Sequence, residues 1–332
     1  VPAQRQQSWL RLATSCSPVW RALYATRDNL PMYAVIWMIG ALLSFSLMAV
    51  CARELAGEIA THQTLFFRSV IGLVCVSIIL LVSKNTLKIQ TNRLGLHTFR
   101  NIFHFAGQYG WFLGIGLLPL AEVFALEFTV PIWTLIVAAV ALGERITARK
   151  IVSVLLGSLG VFVILQPGVS IINAASIIVL ASAVCYAISH TATKSLSSSE
   201  SPMSILFYMC LIQLPIGFLL SMSNWAWPVG LQWLWLLIIG LTALSAHYCM
   251  AKAMQYAEVT KVVTLDFLRL PLIALVGVFL YSEQLEIAFI MGGLFMLAGN
   301  MVSLMQPEYN KAIKTRSGQK TASTGRANAR LL

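Results

Sequence analysis

Two stretches of this chain, residues 151–193 and 201–251, run for 43 and 51 residues without a charged side chain. Soluble domains carry roughly 25% charged residues spread along the chain; here the figure is 11%, against 58% hydrophobic, with mean hydropathy +0.79. A helix needs about 20 apolar residues to cross a hydrocarbon core of roughly 30 Å. Each stretch is therefore read as two crossings, the first turning at Gln166-Pro167-Gly168 and the second at Ser223–Pro228, whose tryptophans suit the membrane interface.

Residues 31–52 and 287–307 supply two more uncharged spans, and four others carry isolated charges. The sequence thus predicts ten transmembrane helices, over 32–53, 62–83, 97–118, 120–142, 149–166, 172–193, 203–223, 231–254, 258–282 and 286–306. The expected fold class is an all-α polytopic membrane protein. Residues 1–30 and 308–332 read as basic tails, and no cleavable signal peptide is expected ahead of the first span. The six cysteines are scattered, without metal-ligand spacing, and read as small hydrophobes.

The net charge of +11 is mainly a topology signal. Placing the N-terminus inside puts 17 Lys and Arg residues in inner loops and tails, against Arg53 alone outside. Both termini are expected in the cytoplasm. The partners are then the lipid bilayer and a small-molecule substrate, with no nucleic acid; association as a homodimer is left open.

Sliding the chain by 139 residues aligns 106–165 with 245–304 without a gap. Tyr109 then meets Tyr248, Leu126-Glu127-Phe128 meets Leu265-Asp266-Phe267, and Gly160 meets Gly299. At a shift of about 140, Phe67 meets Phe207. Each half holds five helices, 31–166 and 167–307. Five is odd, so the second half enters the membrane upside down: two inverted five-helix repeats. Loop charges agree, since Glu144 lies in a basic loop and its counterpart Glu283 in one with no basic residue. Inverted repeats commonly enclose a central site at mid-membrane.

The stretch LAEVFALEFTVPIWTLIVAAVALGERIT, residues 120–147, resembles the signature of EamA-type carriers in the drug/metabolite transporter superfamily. Residues 258–283 are similar to the matching segment of the second repeat, with Ser282 where that segment often has Gly before Glu. The resemblance covers about 32–306 and implies a ten-helix secondary carrier with a central cavity, commonly in the bacterial inner membrane. A narrower likeness, at Phe66-Phe67-Arg68 and Lys84–Lys88, is to the branch that includes S-adenosylmethionine importers of intracellular bacteria.

Charges at mid-bilayer cost several kcal/mol and normally face a cavity or a partner. Counting 1.5 Å per residue, Glu127 lies about 10 Å below the outer edge and Asp266 about 12 Å above the inner one. The substrate-binding candidates are Arg68, Glu127, Tyr109, His247, Asp266, Arg269, Trp111 and Phe128, with Trp133 and Phe105 as further aromatics. Arg68 is the expected partner of Glu127, and Arg269 that of Asp266. Glu127 and His104 are the candidate proton carriers, while His190 reads as interfacial. Pro131 and Pro271 are expected to interrupt the helices just after the two acids.

No metal or cofactor is expected, and no nucleotide-binding loop or nucleophile elbow occurs. The function expected is alternating-access transport of a small polar metabolite, amino-acid-like or nucleoside-bearing, S-adenosylmethionine being one example. The alternatives are an exporter of amino acids or drugs on the same fold, a membrane-embedded lipid-modifying enzyme, or a scaffold acting through its basic tails.

Overall fold

A computed structural model describes residues 30–83, 89, 91–118, 123, 126–165, 174–269, 271–272 and 287–304. Both tails lie outside the described residues, as do Glu122, Lys84–Lys88, the turn at Gln166-Pro167-Gly168, the loop holding Ser282 and Glu283, and most of the ninth span beyond Arg269. The described residues form ten α-helices and no strand. These are α1 (Leu30–Leu55), α2 (Thr61–Val82), α3 (Leu94–Leu117), α4 (Val130–Leu142), α5 (Ala148–Leu165), α6 (Ala174–Ser197), α7 (Pro202–Ser221), α8 (Gln232–Tyr256), α9 (Val259–Leu265) and α10 (Ile287–Leu304). Five of them, α1, α2, α6, α7 and α8, are long and apolar enough by themselves to cross a membrane.

Local chemistry sets several boundaries. Ser201 caps α7 by accepting from the Ser204 amide at 3.1 Å, and Pro202 follows in the first turn, where no backbone donor is missed. Gly143, at φ 67°, ends α4 in the left-handed conformation that side chains resist. The fourth span is interrupted. Leu126 and Glu127 are helical, Phe128 and Thr129 form a turn, and α4 starts at Val130, with Pro131 in its first turn. In the second half α9 stops at Leu265 and Asp266–Leu268 continue as a 3-10 turn. Both repeats thus interrupt the helix at their equivalent acids, and the break before Pro131 follows from the proline's fixed φ and missing N–H.

The surface inverts the soluble pattern. Leu43 and Leu47 on α1, Leu155, Leu159 and Phe162 on α5, and Leu294, Leu297 and Met301 on α10 are exposed. Arg68, Arg100, His104, Gln108, Glu127, His247 and Arg269 are buried. Apolar side chains outside and polar ones inside suit lipid as the surrounding solvent.

Helix pairing follows the repeat. Helix α1 packs on α8 as α3 packs on α6, while α2 packs on its counterpart α7, α4 on α9, and α5 on α10. The registers give the direction. A Cβ on Gly160 would reach the Gly292 carbonyl oxygen at 2.6 Å, and one on Gly299 would reach that of Ser153 at 2.8 Å. Gly160 and Gly299 are repeat equivalents, as are Ser153 and Gly292. Moving up α5 thus means moving down α10, so equivalent helices run antiparallel. Glycines Gly217 and Gly72 show the same reversal between α2 and α7, facing Phe66 and Cys210. The repeats are inverted, and small residues let their backbones close together without any polar group to satisfy.

Candidate functional site

Three helices from each half wall a central cavity of about 640 Å³, open solvent included. Helix α1 contributes Phe45 and Met48, α3 contributes Gln108, Trp111 and Phe112, and the break before α4 contributes Glu127 and Phe128. From the other half come Tyr186 and His190 on α6, His247 and Met250 on α8, and Asp266 and Arg269 beside α9. The two sets are repeat counterparts; α2, α7, α5 and α10 are left out in pairs.

Arg269 is the hub. Its Nη2 donates to Glu127 Oε1 and lies 3.1 Å from Asp266 Oδ2. Its guanidinium carbon sits 5.5 Å from the ring centres of both Phe45 and Phe128, where a cation meets the negative π-face. Glu127 Oε2 accepts from Trp111 Nε1 at 2.7 Å, so both its oxygens are engaged. Asp266 Oδ1, by contrast, is buried with no hydrogen-bond partner among the described residues. Two carboxylates share one guanidinium. The repeat-equivalent rings of Phe128 and Phe267 lie 5.7 Å apart beside them, tilted by 33°.

Several expectations are corrected by this geometry. Glu127 pairs with Arg269 and not with Arg68, whose Nη1 donates to Gln108 Oε1 at 2.8 Å and to Gln213 Oε1 at 3.5 Å. Arg68 sits behind the cavity wall, because α2 pairs with α7 and not with α4. Glu127 is engaged on both oxygens, so the ground for proton carriage, a carboxylate without a partner, is missing. Tyr109 is half-buried against the core and does not line the cavity. His104 also lies behind it, with Nδ1 2.8 Å from Gln213 Nε2 and its ring 4.6 Å from that of His247. Phe105 is core, and Trp133 donates to Thr129. His190 is not interfacial: it is buried, lines the cavity and stacks on Tyr186 at 5.9 Å. Trp111, Glu127, Phe128, His247, Asp266 and Arg269 are placed on the cavity lining.

Tyr186, His190, Phe45 and Met48 are lining residues that the sequence reading missed. They lie on α1 and α6, outside the gapless repeat alignment, and no charge marks their faces. Among the described residues no cluster of three His, Cys, Asp or Glu has metal-binding geometry.

One end of the cavity is tied between the halves. Glu144, in the loop after α4, accepts from the Val259 amide at 3.0 Å, from Thr260 Oγ1 at 2.8 Å and from Lys150 Nζ at 2.9 Å. Lys194 Nζ, near the end of α6, donates to the Met254 and Ala257 carbonyls at 2.5 and 2.7 Å. On the same side of the bundle Glu200 holds His97 Nε2 at 2.6 Å and Thr91 Oγ1 at 2.5 Å.

A polytopic helical bundle of inverted repeats around a polar, aromatic-walled cavity defines a membrane transporter. The EamA-like transporter family matches residues 32–166 and 173–305, and the chain belongs to that family. It is 22% identical to an S-adenosylmethionine uptake transporter of Rickettsia prowazekii (strain Madrid E) over 87% of this chain and 99% of the relative. It is 29% identical to a riboflavin transporter of Vibrio cholerae (serotype O1) over 74% of this chain and 84% of the relative. A pseudopaline exporter of Pseudomonas aeruginosa is 25% identical, over 79% of this chain and 93% of the relative. A protein solved by crystallography shares the fold at a TM-score of 0.69 and 19% identity, covering 81% of this chain and 96% of its own. The chain is a multi-pass membrane transporter of a small metabolite and not an enzyme.

Proposed function

We propose that this chain is a secondary carrier for a small metabolite bearing both a flat ring and a cationic or amino group, with S-adenosylmethionine the first compound to test. The halves would rock about the cavity, exposing it to each face in turn, with both termini in the cytoplasm. The observation that carries the reading is the Glu127–Arg269–Asp266 triad. Two acids against one arginine leave one negative charge, and the unpartnered Asp266 Oδ1 is free to accept from a positive donor. Phe45, Phe128, Trp111 and Tyr186 offer ring faces on the same cavity. A sulfonium or ammonium group beside a purine matches both features; riboflavin, with its ring but no cation, matches only one.

Glu144, Lys150 and Lys194 form the inner gate in this reading. They lie in or next to loops whose basic residues mark the cytoplasmic side. Glu144 joins the halves there through the Val259 amide and Thr260 hydroxyl and Lys150 through Glu258 at 3.3 Å, while Lys194 ties α6 to α8 within the second half. The test is uptake of radiolabelled S-adenosylmethionine and riboflavin by proteoliposomes holding the purified chain. Saturable movement of the first, competed by excess unlabelled compound, is expected. Movement of riboflavin alone, or of neither, would overturn the assignment.

A further inference from the structure

We propose that Arg68 holds one monatomic anion, chloride in a cell, in a small pocket between α2, α7 and α8, separate from the central cavity. Arg68 is 3% exposed, and only its Nη1 has partners, the amide oxygens of Gln108 and Gln213. Its Nε and Nη2 are buried and have no acceptor among the described residues. A guanidinium in low dielectric needs both its hydrogen bonds and a counter-charge, and amide oxygens supply only the first.

A second cation sharpens the imbalance. Arg100 on α3 is buried too, donating to Thr193 Oγ1 at 3.1 Å and to Asn101 Oδ1 at 2.6 Å. Asn101 Oδ1 also accepts from Gln213 Nε2 at 3.2 Å, so neutral amides link the two arginines. Among the described residues no carboxylate comes within ion-pair distance of either. Glu127 and Asp266 are taken by Arg269, and Glu200 by His97.

Size and chemistry choose the occupant. The space beside Arg68 admits the centre of a water-sized sphere over about 10 Å³, which is room for one such sphere. So small a space suits a single small ion better than a carboxylate-bearing metabolite. Gly72 and Gly240 on the wall let the helices approach closely around it, since a Cβ on either would lie 2.6 Å from Cys210 Sγ or Ile71 Cγ2. A water would need acceptors for its own hydrogens as well as donors. The wall offers the Arg68 Nε and Nη2 hydrogens and the Cys210 thiol as donors. The Ser69 hydroxyl donates to the Leu65 carbonyl and the Gln213 amide oxygen accepts from Arg68, and the lone pairs left on these two oxygens are the acceptors a water would use. A water would still leave the buried guanidinium without a counter-charge, which an anion supplies along with an acceptor.

The test is equilibrium binding of radioactive chloride to the purified full-length chain in detergent, at constant ionic strength made up with gluconate. Saturable binding near one ion per chain, displaced by bromide, is expected. Arg68→Gln should weaken it by about tenfold or more, the loss of a hydrogen bond between charged groups. If Arg68→Gln does not fold, bromide-soaked crystals of the unmodified chain place the ion by anomalous scattering, and a peak beside Arg68 Nη2 is expected. No saturable chloride binding, a bromide peak elsewhere, or binding that survives in folded Arg68→Gln would each overturn the proposal and leave a water in the pocket.

Discussion

Arg269 donates to Glu127 across the boundary between the two halves, joining residues 142 positions apart at the middle of the bundle. The second partner of Arg269, Asp266, is the repeat counterpart of Glu127. The position equivalent to Arg269 in the first half is Val130. The inverted repeat therefore delivers two acids to the centre and one base, and this departure from symmetry is what the proposed recognition of a cationic substrate rests on.

Removing the base should cost stability before it costs transport. Arg269→Met leaves two carboxylates buried together without a counter-charge, a loss of about 3–5 kcal/mol for breaking a buried pair from one side. Neutralising both acids in the same chain, as Glu127→Gln and Asp266→Asn, should restore thermal stability in detergent while leaving uptake absent. A single Arg269→Met chain as stable as the parent would show that the triad is not held as described.

Asp266→Asn alone should fold, because Arg269 keeps its bond to Glu127. Uptake of a cationic substrate should show a KM raised by about tenfold, the value of one hydrogen bond to a charged group. A neutral substrate would be little affected, and the two profiles together read out the charge preference.

Helix packing at the pseudo-two-fold axis makes a stability prediction free of any substrate. Gly160→Ala drives a methyl into the Gly292 backbone oxygen, and Gly157→Ala drives one into the Phe267 ring at 2.3 Å. Each should cost about 1–3 kcal/mol, as overpacking does in tight cores. Gly116→Ala, with nothing within 4 Å, should leave the melting temperature unchanged or slightly raised.

Glu144→Ala should loosen the gate, since it frees the Val259 amide and Thr260 hydroxyl at a cost near 1–2 kcal/mol, that of a lost helix cap. With Val263→Cys as the reporter in an otherwise cysteine-free chain, a membrane-impermeant thiol reagent applied from the face bearing Thr147 should label faster. An unchanged rate would remove Glu144 from the gate.

Orientation can be read with the same chemistry. Thr147→Cys should be labelled only from the cytoplasmic face and Val229→Cys only from the opposite one. Labelling of both from one side would discard the proposed topology.

Much of the architecture was legible because lipid imposes simple rules. Uncharged runs of fixed length marked the spans, and the 139-residue shift paired Glu127 with Asp266 and Gly160 with Gly299. The helix breaks at both acids were legible in part, through Pro131. The partner of Glu127 was not. Depth counting placed Arg68 and Glu127 at similar heights, but height carries no information on which helices are neighbours around the bundle. Arg68 faces Gln108 and Gln213 because α2 packs on α7, and that choice is made by shape between distant segments. His190 was misjudged for the same reason, its helix turning it inward towards Tyr186.

Period, length and repetition along the chain determined the ten helices, their two inverted halves and the pair of intramembrane acids, since each is a local or self-similar property of the amino-acid order. Which arginine neutralises those acids, which rings wall the cavity and which cations are left without one were decided only by the packed bundle. Azimuth about a helix axis and contact between segments more than a hundred residues apart arise from close packing, and close packing is not written in any single stretch of sequence.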